Sequence, residues 1–147
     1  MSRARTAVRH WTADQWLTLA VAWWVLPLCW LALRRQGLAR LHQRLQPTQG
    51  RRVPPDTLAP LGRAVNAAAR ISPFPSTCLS RSLVLMGWLT RRGIHSELRI
   101  GVQLQQGQLH AHAWLEHQGI PINDQPDIAA SFAVFDGPIP SLDQFSP

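Results

Sequence analysis

The chain has 147 residues, 46% of them hydrophobic and 16% charged, and a net charge of +7. A chain of this length buries roughly 70% of its unfolded surface, so it holds one core without disulfides or metals, and wholesale disorder is excluded. The basic charge is all arginine, fifteen Arg and no Lys, and it is unevenly placed: residues 1–70 carry eleven Arg against two acids (+9), residues 71–147 four Arg against six acids (−2).

The Arg of the first half flank apolar segments and do not alternate with exposed aromatics, which argues against a nucleic-acid groove. Gln15 to Leu33 is uncharged for nineteen residues, and Trp11, Trp16, Trp23, Trp24 and Trp30 lie in or beside it. Three readings are open. A transmembrane helix has the length, with Arg3, Arg5 and Arg9 before it and Arg34, Arg35, Arg40 and Arg44 after it, but it would carry Trp23, Trp24 and Pro27 in mid-bilayer. A signal peptide lacks its Ala-x-Ala site. The third reading is a pair of apolar helices packed on the rest of the chain or on a partner, the first capped by Thr12 or Asp14 and the second running from about Leu28 to Leu45. The chain is placed in the cytoplasm, either free or at the inner membrane. Cys29 and Cys78 make no disulfide framework and read as free thiols in a reducing compartment.

Residues 46–60 hold Pro47, Gly50, Pro54, Pro55 and Pro60, a breaker-rich connector. The expected division is an N-terminal Trp/Arg-rich helical region, 1–50, and a second domain, 51–147. A helix is predicted from Leu58 to Arg70, with Leu61, Val65 and Ala68 on one stripe. After Pro73 and Pro75, Ser76 or Thr77 caps a helix over Leu79–Arg92, ended by Gly93. Cys78 falls in its first turn, where the positive helix end favours thiolate over thiol. A small buried apolar side chain is the competing role for such a cysteine.

Glu97–Gln105 alternates as a half-buried strand, Gln106-Gly107 turns, and a second strand begins at Leu109. Leu109, Ala111, Ala113 and Leu115 share one face; His110, His112, Trp114 and Glu116 share the other. A third strand is predicted over Ile120–Asp124, at an edge because Pro121 cannot donate. A three-residue turn at 117–119 would pair Glu116 with Ile120 and set Asp124 across from His112. A two-residue turn would put that pair on opposite faces. A carboxylate beside an imidazole fixes its tautomer and stabilises its cation. His110 is the rival base, and His-x-His also suggests metal, although no spacing here matches a zinc pattern.

The order is cysteine at a helix start, strand with His, strand with Asp. With it come Cys78-Leu79-Ser80-Arg81-Ser82-Leu83, Arg91-Arg92-Gly93-Ile94, Ile100-Gly101-Val102, Ala111-His112-Ala113-Trp114-Leu115-Glu116 and Pro121-Ile122-Asn123-Asp124. Over residues 60–127 this resembles the lasso-peptide biosynthesis B2 proteins, leader peptidases with a transglutaminase-like, papain-like arrangement. The resemblance implies an α+β fold in which N-terminal hydrophobic helices precede a small domain whose Cys-bearing helix packs on an antiparallel sheet. It implies a Cys78–His112–Asp124 triad, with the Ala-His-Ala-Trp block selecting His112 over His110, and no metal or organic cofactor. The implied partners are a precursor peptide, a separate leader-binding B1 protein and an ATP-dependent lasso cyclase. Alternatives are a thioester-forming acyltransferase or amidase on the same scaffold, and a non-enzymatic membrane-associated interaction protein. Arg81 reads as substrate contact or as a structural ion pair, and Trp114 as a cleft wall or as covered by the N-terminal helices.

Overall fold

A computed structural model describes residues 10–46 and 50–135. Arg3, Arg5, Arg9, Pro47 and the end of the expected second domain, 136–147, lie outside the described residues. Four helices, α1 (Ala13–Gln36), α2 (Leu38–Leu45), α3 (Pro55–Ile71) and α4 (Cys78–Arg91), precede the strands β1 (Glu97–Gln105), β2 (Gln108–His117) and β3 (Ile120–Pro121). A one-turn helix α5 (Ile128–Ser131) and a two-residue strand β4 (Ala133–Val134) complete an α+β architecture. The sheet order is β3-β2-β1-β4, with antiparallel pairing throughout.

Thr12 caps α1 in a reciprocal box with Gln15, so the cap is Thr12, while Asp14 pairs with Arg92. The break expected near Leu28 is absent. The helix runs through Pro27 and ends at Gly37, whose φ of 76° no other residue type adopts readily. Leu26 and Cys29, on either side of the proline, are both buried, so packing on the same neighbours carries the helix past the lost hydrogen bond. α3 starts inside the proline-rich connector, with Pro55 in its first turn, where the missing N–H costs nothing.

One hydrophobic core joins α1 (Ala22, Leu26, Cys29), α3 (Leu58, Leu61, Val65, Ala68), α4 (Leu83, Leu85, Met86, Leu89) and the strand side (Leu115, Ile122). It is continuous across residue 50. β2 is exposed on both faces from Gln108 to Ala111 and buried on both from Ala113 to His117, so burial changes along the strand and the expected alternation of a solvated and a buried face is not found. His117 is a structural histidine. Its Nδ1 donates to the His95 carbonyl and its Nε2 accepts from Val53 N–H, which ties the connector to the sheet.

Candidate active site

The cysteine is placed by the cap before it. Thr77 Oγ1 accepts from Ser80 N–H at 3.1 Å, and Ser80 Oγ accepts from Thr77 N–H at 2.9 Å. This closes the helix start with Cys78 as its first residue, so the Cys78 and Leu79 N–H groups stay outside the helical ladder. Cys78 is half-buried, whereas Cys29 is buried with its thiol 3.8 Å from the Ser80 carbonyl. Burial pushes the Cys29 thiol up to about 11.

His112 and Asp124 meet, but not through the expected register. The turn is the two-residue pair Gln118-Gly119, both with positive φ (53° and 76°), and the ladder pairs His117 with Ile120 and Glu116 with Pro121. Continued regularly, that register would turn Asp124 to the far face. The ladder instead stops at Pro121. Ile122 N–H still donates to Leu115 O, but the next partner of Leu115 N–H is the Asn123 side chain, through Oδ1 at 2.8 Å. The chain bends there and brings Asp124 Oδ2 to 2.6 Å from His112 Nε2. A carboxylate only accepts, so Nε2–H donates to it and Nδ1 is the nitrogen left free. The other carboxylate oxygen accepts from Gln125 N–H.

Cys78, His112 and Asp124 line one open cleft of about 390 Å³. Arg63 and Asn66 of α3 and Arg81 of α4 line it as well. Arg81 donates to the Thr77 carbonyl, and among the described residues it makes no ion pair. Among the described residues neither Arg63 nor Arg81 meets an acid. His110 is exposed, lies opposite Gln103 and is outside this cleft. Among the described residues no three His, Cys, Asp or Glu side chains are grouped as metal ligands.

Four further residues build the site, none of which was assigned a role in it from the sequence. Phe132 stacks on the His112 ring, with centroids 5.3 Å apart and planes at 28°; Trp114 lies behind at 6.1 Å and 26°. Trp114 is therefore no cleft wall and is not roofed by the N-terminal helices. It is buried beside Phe132 and anchored by Nε1–H to Glu116, which also accepts from Arg99. Gly101 permits this stack, since a Cβ there would come within 2.7 Å of Phe132 Cβ. Ser82, one turn after Cys78, is fully buried. Its Oγ donates to the Cys78 carbonyl at 2.9 Å, lies 3.3 Å from the Ala113 carbonyl, and accepts from Asn123 Nδ2 at 2.9 Å. One hydroxyl thus joins the first turn of the cysteine helix, the histidine strand and the aspartate segment. Gly62 of α3 is the fourth: a Cβ there would sit 2.1 Å from the Ile122 carbonyl, and next to it Asn66 donates to the Asn123 carbonyl. Sequence signals existed for two of them: Ser82 and Gly101 lie in the blocks quoted above, Ser82 at i+4 from Cys78 and Gly101 inside the β1 pattern.

The family model of the transglutaminase-like superfamily matches residues 22–135, which is more than half of the chain. The chain belongs to this superfamily. The match begins within α1, so the family unit includes most of the apolar helix. No curated protein and no solved structure matches the chain.

Proposed function

We propose that the chain is a cysteine peptidase that removes the leader from a lasso-peptide precursor. The carrying observation is the placing of Cys78 at the start of α4 and of the hydrogen-bonded His112–Asp124 pair in one solvent-open cleft. In this reading His112 Nδ1 takes the thiol proton, and Cys78 Sγ bonds to the carbonyl carbon of the last leader residue. The Cys78 N–H, free of the helical ladder, donates to the oxyanion. The C–N bond breaks as His112 returns the proton to the departing amine. Water, deprotonated by the same imidazole, then hydrolyses the thioester to a leader carboxylate and restores the thiol. Asp124 holds the imidazole tautomer through Nε2. The core peptide leaves with a free amine for an ATP-dependent cyclase, and a separate leader-binding protein delivers the precursor. The lasso assignment is supported by the sequence blocks around these three residues, and the thiol chemistry by the geometry.

The test is a reconstituted mixture of the chain with a lasso-peptide precursor and a leader-binding protein, followed by mass spectrometry. Cleavage between leader and core that is lost in Cys78→Ala, His112→Ala and Asp124→Ala supports the proposal. Transfer of the leader acyl group to an added amine in preference to water moves the assignment to an acyltransferase. Cleavage that survives all three substitutions ends it.

A further inference from the structure

α1 is long and apolar enough to cross a membrane, yet only 22% of its most apolar window is buried inside the molecule. A core helix would be mostly covered. The uncovered arc runs along the whole helix: Trp16 is 48% exposed, Leu17 52%, Trp24 70%, Leu28 64% and Leu31 39%. At 100° per residue these five fall within an arc of about 120°, over about 20 Å of helix. The arc carries no charge until Arg34 and Arg35 at its C-terminal end, and exposed Arg40 and Arg44 follow on α2. Among the described residues none of these four meets an acid; Arg34 covers the Trp30 ring at 4.9 Å and Arg44 donates to Gln36. Beside the arc, Val25 and Leu28 with Leu41 and Leu45 border an apolar groove of about 300 Å³, whose one charged lining residue is Arg91.

The opposite face of α1 is fastened along its length. Asp14 pairs with Arg92, Thr18 Oγ1 accepts from Trp88 Nε1, and Cys29 meets the Ser80 carbonyl. A helix tied at three heights to α4 and its cap cannot cross a bilayer without tearing open the core. It can lie in the interface plane, with indoles at headgroup level and arginines on the phosphates. We propose that the outer face of α1, with the arginines that follow it, docks in plane on an anionic lipid bilayer, the groove beside Leu28 accepting an acyl chain. The complementarity is of charge as well as of apolar area: four cations border the patch, and among the described residues no acid pairs with them. This inference rests on the α1 surface alone and is independent of the chemistry at Cys78.

Flotation of the full chain with vesicles tests it. Equimolar phosphatidylcholine and phosphatidylglycerol vesicles should bind it at least about tenfold more strongly than phosphatidylcholine alone, since each basic residue near an anionic surface adds to the attraction. Added salt should weaken the binding, and the tryptophan emission should shift to the blue. Trp24→Ser/Leu28→Ser and Arg34→Gln/Arg35→Gln, all at exposed positions, should each lose flotation with an unchanged circular dichroism spectrum. Should the first pair unfold the chain, the arginine pair decides. No flotation with the anionic vesicles at low salt overturns the proposal. Binding equal in both vesicle types, or unchanged in the variants, also overturns it. Retention through an alkaline carbonate wash replaces it with a spanning helix. A dimer that the Trp24→Ser/Leu28→Ser variant converts to monomer assigns the face to a second copy instead.

Discussion

At the scale of single residues, the site depends on one imidazole held from three sides. Asp124 fixes Nε2, Phe132 stacks on one ring face and Trp114 stands behind. Asp124→Asn keeps the shape but removes the acceptor-only partner that selects the tautomer. A loss on the order of 10²-fold or more in kcat is expected in a peptide-cleavage assay, with KM little changed. Ser82→Ala leaves the half-buried Asn123 amide without an acceptor and frees the Cys78 carbonyl. It should cost about 1–3 kcal/mol in urea denaturation and lower kcat more than KM, because it loosens the mutual placing of three groups and touches no substrate. Arg63 and Arg81 leave two cations in the cleft with no acid beside them among the described residues. Arg63→Gln should therefore raise KM for a peptide with a carboxylate near the scissile bond and leave a neutral peptide unaffected.

At the scale of elements, the helix and hairpin patterns were legible because each has local punctuation. Thr77 and Gly93 bracket α4, and the segments 97–105 and 109–116 form the paired strands β1 and β2, although their burial does not alternate. The third strand shows where local reading stops. The pairing of His112 with Asp124 was expected from a three-residue turn. The actual turn has two residues, and the contact exists because Asn123 ends the ladder and bends the chain. That bend depends on a side chain bonding to a strand residue eight positions back and to Ser82 on α4, which no periodicity records. Phe132 and β4 were missed for the same reason: two paired residues leave no pattern, and Phe132 has meaning only above Gly101. Gly62→Ala should test the packing of α3 beneath the aspartate segment. The added methyl must displace the Ile122 carbonyl, costing about 1–3 kcal/mol in denaturant midpoint, and it should lower activity further by moving Asp124.

At the scale of the molecule, charge and core divide the chain differently. The basic excess belongs to residues 1–70, but the apolar core runs through α1, α3, α4 and the sheet as one body. Composition revealed the first and could not reveal the second, since an apolar helix looks the same whether it faces lipid, a partner or its own domain. Leu26→Ala should consequently destabilise the whole domain by about 2–5 kcal/mol in a single denaturation transition; an early transition of α1 alone would contradict the common core. Cys29 adds a pH dependence of known sign. Its buried thiol is held at about 11 against an ordinary 9.0, so the unfolded chain ionises first and stability falls as pH rises between those values. Cys29→Ala should flatten that alkaline slope in a series of melting temperatures.

The central claim, a thiol activated by the His112–Asp124 pair, is open to a measurement that needs no knowledge of the substrate. Iodoacetamide alkylation at neutral pH, followed by peptide mapping, should label Cys78 and leave Cys29 unmodified until the chain is denatured. The Cys78 rate should fall in His112→Ala and, to a lesser degree, in Asp124→Asn. A Cys78 that reacts no faster than a simple thiol, at a rate indifferent to His112, would contradict the account.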